Sequence, residues 1–181
     1  MTEEPQIELK RPGFAALLAW LWPGAGHLYQ GRTAKGVLYM VCILGTYFYG
    51  LVIGQGHVVY ASWTPEDRRL PYLCQVGVGL PALPALLQTR RVRNGQEPWF
   101  GGMMAPPYVN PDLERIHRGQ DELSQWHAAA GGKFELGTLF TMVAGLLNVL
   151  AIYDAFAGPV VAAPDEKQDR PPPDDSGPSK Q

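Results

Sequence analysis

Residues 20–36 read W-L-W-P-G-A-G-H-L-Y-Q-G-R-T-A-K-G and join two apolar runs, 14–22 and 37–53. Gly24, Gly26, Gly31 and Gly36 permit tight turning and close helix contact. Pro23 interrupts the first run near its end. Tyr29 suits the headgroup level, and Arg32 and Lys35 can face phosphates or snorkel toward them. The stretch predicts the turn of a transmembrane hairpin. A structural turn accounts for each of these residues except His27.

The rest of the chain follows the same division into apolar runs and polar connections. Only Arg32 and Lys35 carry charge between Gly13 and Tyr60, and residues 136–153 carry none. The 46% hydrophobic content is ordinary for a soluble protein as well, so the distribution decides the class and the average does not. Four membrane segments are expected. The first, 13–28, is near the lower length limit of about 17 residues for a span, and Pro23 and Gly24 can kink it or leave it only partly spanning. The second, 36–54, has no proline, and Gly50 and Gly54 form a small-x-x-x-small pair. The third, 70–87, contains Pro71, Gly77, Gly79, Pro81 and Pro84, which predict a kink or an unwound stretch. The fourth, 136–156, presents Gly137, Thr141 and Gly145 at four-residue spacing as a smooth packing face.

The expected fold class is therefore all-α and integral to a membrane, with about four transmembrane helices and a polar loop carrying a short amphipathic helix. In domain terms the chain divides into a polar tail (1–12), a hairpin (13–54), a polar loop (55–69) and a kinked helix (70–88). A long polar loop (89–135), a last helix (136–157) and a Pro- and Asp-rich tail (158–181) complete it. The tail lacks the apolar residues needed to fold. Within the long loop, Asn110-Pro111-Asp112 resembles a helix start. Leu113, Ile116, Leu123 and Trp126 then predict an amphipathic helix to about Ala130. Gly131-Gly132 should stop it. The leader holds Glu3, Glu4 and Glu8 against Lys10 and Arg11, unlike the basic start of a signal peptide. The first apolar run is thus expected to be retained.

In a four-span threading, Arg32 and Lys35 share a side with Arg90, Arg91, Arg93 and Lys133. Lys10, Arg11, Arg68 and Arg69 face the other side. The triple arginine favours the first side as cytoplasmic, with both tails outside. The localisation expected is the cell membrane, multi-pass.

The pattern Pro23-Gly24-x-Gly26-His27-x-Tyr29-x-Gly31-Arg32-x-x-x-Gly36 resembles the turn of the small two-transmembrane-helix domain family found in many bacterial membrane proteins. The resemblance covers roughly residues 13–54. That family often ends its second helix with an aliphatic-aliphatic-Asp element; here Ile152-Tyr153-Asp154 in the last helix is similar, and the second helix lacks it. The resemblance implies a hairpin architecture and no enzymatic activity.

Candidate chemistry is sparse. Ionisable and polar groups inside membrane segments are costly and mark functional sites by default, which singles out His27, Asn148 and Asp154. Four spans would put His27 level with Glu135 and Asp154 level with Lys10 or Arg11, at opposite ends. An Arg11–Asp154 pair is the expected tie, and His27 and Asp154 should not meet. Asn148 is expected to make an interhelical hydrogen bond worth about 1 kcal/mol or less. His117 and His127 lack the spacing of a zinc helix. Cys42 and Cys74 lie in apolar runs and read as small hydrophobes. No catalytic, cofactor or metal set is expected. A net charge of -2 without a basic stripe argues against nucleic acid. The function expected is a structural or interaction role, with membrane lipid and a protein partner at residues 90–133, or self-association. The alternative is a small permeation unit using the broken third segment and Asp154.

Overall fold

The computed structural model describes residues 11–63, 68–107 and 122–158. Seven α-helices occur among them: α1 (Pro12–Leu21), α2 (Ala25–Tyr29), α3 (Thr33–Ile53), α4 (Pro71–Gln75), α5 (Pro84–Arg93), α6 (Glu122–Ala130) and α7 (Lys133–Ala157). The described residues include no strand, only an isolated bridge between Trp63 and Arg68. The all-helical expectation holds, but the two long helices carry a different threading.

Helices α3 and α7 are 21 and 25 residues long and apolar enough to cross a membrane. At about 1.5 Å per residue each exceeds the roughly 30 Å of a bilayer's hydrocarbon core. They run antiparallel, and Gly50 and Gly137 mark where they touch. A Cβ on Gly50 would lie 2.8 Å from the Gly137 carbonyl oxygen, and one on Gly137 would lie 2.6 Å from that of Gly50. Only hydrogen lets the two backbones approach so closely.

The first apolar run departs from its expected span of 13–28. Helix α1 stops at Leu21 after 10 residues, about 15 Å of rise. Pro23 has no N–H to continue the ladder, and Gly24 takes a left-handed φ of 84°. The chain then reverses through α2, which packs back on α1: a side chain on Gly26 would overlap the Ala15 carbonyl. Helices α1 and α2 thus make a short hairpin that enters the bundle and leaves by the same end, where α3 begins.

The third apolar run makes a second hairpin from the other end. It descends as α4, tightens through a 3-10 turn at Val76–Val78, turns at Gly79 and returns through Leu80–Ala82 and α5. The expected kink is therefore a full reversal. Its start and finish both lie at the C-terminal end of α3. Arg69 donates to the Val58 carbonyl and Thr138 Oγ1. Past α5, the Met104 N–H donates to the Gly56 carbonyl.

The tips of the two hairpins meet midway along α7. Gly79 has a φ of 87°, and a Cβ there would overlap the Trp20 carbonyl oxygen. Gly145 of α7 lies so close to α4 that a Cβ would overlap the Cys74 carbonyl.

Helix α6 is present from Glu122, and the expected start at Asn110 lies outside the described residues. Trp126 stacks on His57 with ring centroids 4.3 Å apart, so α6 closes the end of the bundle where α3 finishes. Gly131, at a φ of 54°, separates it from α7.

Candidate functional site: a carboxylate held by His27, Arg32 and Lys35

The re-threading brings together groups that the four-span reading held apart. Because α1 turns back instead of crossing, α2, the start of α3 and the end of α7 share one end of the bundle. There His27 Nε2 lies 2.7 Å from Asp154 Oδ2, and Lys35 Nζ donates to the same oxygen at 2.6 Å. Arg32 Nη2 lies 3.5 Å from it. The expected Arg11–Asp154 tie is not among the contacts of the described residues. The partners of Asp154 come from the turn, and Glu135, expected level with His27, pairs with His127 at the opposite end.

Burial is uneven across the cluster. The His27 ring is fully buried, whereas the side chains of Arg32, Asp154 and Lys35 are 20%, 23% and 37% exposed. Tyr39 covers the inner wall with its ring edge-on to His27 at 4.9 Å, and Lys35 lies over the same ring. Gln30 donates to the Ala155 carbonyl, satisfying one of the acceptors left at the end of α7. A carboxylate taken partly out of water requires compensation, and these cations supply it. The group joins the turn to a residue more than a hundred positions away.

The remaining residues of the turn motif have packing roles. Pro23 is fully buried. Gly24 faces the Gly36 carbonyl, and Gly36 faces Leu28. Tyr29 meets Phe14 edge-on at 5.2 Å, and Gly31 makes the left-handed turn into α3 at a φ of 81°. On the packing faces, Gly54 abuts Val58, while Gly50, Gly137 and Gly145 mark the backbone contacts described above.

A second set of polar groups runs up α7. The Asn148 amide donates to the carbonyls of Ala19 and Gly77, at 3.1 and 2.9 Å, binding the tips of both hairpins to one side chain. Gln75 donates to Thr141 Oγ1 at 2.8 Å and to the Val58 carbonyl. Tyr47 and Tyr72 hydroxyls donate to the carbonyls of Pro81 and Ala82. These are groups freed where the ladder is broken, and side chains satisfy them, as an apolar surrounding demands.

His27, Asn148 and Asp154 are the polar residues singled out in the sequence, and all make interhelical contacts. Lys35, Tyr39, Gln75 and Arg69 were missed as site residues. Gln75 carried a signal, being the one amide between Pro71 and Pro84. Tyr39 carried none.

The fold and the polar groups together define an all-helical protein on two long apolar helices, with two broken apolar segments packed between them. The chain belongs to the Family of unknown function (DUF6677), whose model matches residues 14–168. The match extends well beyond the turn that resembles the two-transmembrane-helix domain. No curated protein and no solved structure matches the chain.

Proposed function

We propose that the protein is a non-catalytic component of the cell membrane, with α3 and α7 as spans and the two hairpins entering from opposite faces. The observation that supports this is the apolar surface. Only 33% of the most apolar window of either long helix is buried. Val37, Val41 and Val52 on α3 and Leu139, Leu146 and Leu150 on α7 are all exposed. A soluble core helix would hide such a window. Exposed apolar patches on soluble monomers rarely exceed a few hundred Å².

The ionisable cluster fits a lock in this setting. Each cation around Asp154 faces the same carboxylate, and Asn148 and Gln75 spend their donors on backbone and Thr141. A structural role follows, with the 90–133 side offering the surface for a partner protein or a second copy. Alkaline carbonate extraction tests the membrane half of the reading: the protein should stay with the pellet, and release into the supernatant would refute it. A photocrosslinker at Gln96 in native membranes tests the interaction half. A stoichiometric protein adduct is expected.

One observation favours a permeation unit as the second reading. Gln75 Oε1 and Asn148 Oδ1 are buried acceptors without a hydrogen-bond partner, close to where the hairpin tips meet. Buried unpaired acceptors beside broken helices suit transient solute contacts. Solute or proton flux in reconstituted vesicles, abolished by Asn148→Leu, would establish that reading over the structural one.

A further inference from the structure

We infer that the cleft between Trp63 and the last turn of α5 binds the headgroup of an anionic phospholipid, an inference that rests on the membrane reading above. The cleft is lined by Trp63, Leu86, Arg90, Arg93 and Asn94, with Ala61 and Thr89 at its floor. Its chemistry is divided by depth. Arg90 and Arg93 stand one helical turn apart at the end of α5. Leu86 lies one turn earlier and is exposed. A ligand filling this cleft meets guanidinium groups at one end and apolar side chains at the other.

The two arginines are free to act. Neither guanidinium forms an ion pair or a hydrogen bond among the described residues, in contrast to their neighbours. Arg91 stacks over Trp99 at 4.2 Å and donates to the Glu97 carbonyl. Arg69 is held by Val58 and Thr138 and lies over the Tyr60 ring. Thr89 is also committed, donating to the carbonyls of Ala61 and Ala85. The polar capacity of the cleft thus resides in Arg90, Arg93 and the Asn94 amide.

Guanidinium groups pair with phosphate through parallel N–H···O bonds. Trp63 is 47% exposed at the mouth, and indole favours the headgroup level. A free phosphate would have no use for the Leu86 side chain below. A phospholipid uses both halves, with its phosphate at Arg90 and Arg93 and an acyl chain along Leu86. A headgroup with no positive charge of its own then binds more tightly than a zwitterionic one, because nothing on the lipid offsets the pairing of its phosphate with two guanidinium groups.

Native mass spectrometry of the full chain in mild detergent, titrated with phosphatidylglycerol or phosphatidylcholine of matched chains, tests this. The wild type should retain phosphatidylglycerol at least about fivefold over phosphatidylcholine. Arg90→Gln with Arg93→Gln should remove that preference. Arg90→Lys with Arg93→Lys should keep much of it, and Arg11→Gln, at the other end, should leave it intact. Thermal melts of each variant identify any that have lost the fold. Equal retention of both lipids by the wild type, or an unchanged preference in the folded double glutamine variant, overturns the site. So does loss of the phosphatidylglycerol adduct to millimolar inorganic phosphate, which would make the ligand a soluble anion. Failure of the membrane reading itself would look different: a chain that stays monodisperse without detergent and retains neither lipid.

Discussion

At the residue scale the carboxylate of Asp154 faces three groups at once, His27, Arg32 and Lys35. Removing it leaves a buried His27 and two partly buried cations facing each other. Breaking a buried pair from one side costs more than the pair contributes, because the abandoned charges stay behind. With the carboxylate 23% exposed, the loss for Asp154→Ala is about 2 kcal/mol. It should appear as a fall of about 4–8 °C in detergent-state melting temperature. Lys35→Ala should cost less than about 1 kcal/mol, since its side chain is the most exposed of the set. Arg11→Ala should change nothing measurable. A fall for Arg11→Ala matching that for Asp154→Ala would restore the pair that the four-span threading expected. Glycine supplies the second residue-scale test. Gly79→Ala must both hold a left-handed φ and push a methyl into the Trp20 carbonyl, at about 3 kcal/mol or more. Gly13→Ala meets nothing within 4 Å and should stay within about 0.5 kcal/mol of wild type.

At the element scale, α6 closes one end of the bundle with Trp126 stacked on His57 and edge-on to Tyr60. Burial lowers the pKa of His57 below the ordinary value of 6.5, outweighing the opposing pull of Glu122. The folded state therefore prefers the neutral ring. As pH falls through 6.5 the unfolded or undocked ring takes up a proton first, so docking weakens from there downward. Above that pH the contribution is fully present. Hydrogen-exchange protection of α6 should drop between pH 7.5 and pH 5, and His57→Gln should flatten the difference. Protection rising as pH falls would mean that the ring is held charged. The elements also differ in how well the sequence announced them. Helices α3 and α7 were legible because no proline or charge interrupts their apolar runs. Helix α1 was not, because hydrophobicity continues past Pro23 and composition cannot distinguish a crossing from a reversal. The prolines and glycines of 70–87 marked a break, yet the depth of the turn depends on Gly79 meeting Trp20. That contact is invisible in a linear reading. So was the His27–Asp154 bond, which joins residues 127 apart.

At the scale of the whole molecule, the two hairpins redistribute charge between the ends. Four spans put Arg32 and Lys35 beside Arg90, Arg91, Arg93 and Lys133, leaving the opposite side nearly as basic. Here Arg68, Arg69, Arg90, Arg91, Arg93 and Lys133 occupy the end where α3 finishes. Among the described residues Arg11, Arg32 and Lys35 occupy the other. Lys35 and Arg32 are moreover partly neutralised by Asp154. Cationic flanks of short loops stay on the cytoplasmic side, so the α5 end should face the cytoplasm and Arg11 and Gly158 the opposite face. This expected orientation rests on more than the triple arginine alone, since reversal of α1 and of α4–α5 removes the competing charges. Single cysteines at Ala34 and Gln96, in a chain carrying Cys42→Ala and Cys74→Ala, read this directly. A membrane-impermeant maleimide applied to intact cells should label position 34 and spare position 96. Inverted vesicles should give the reverse. Four full spans require both positions to label from the same side, whichever side that is, so one pair of labelling reactions separates two crossings from four.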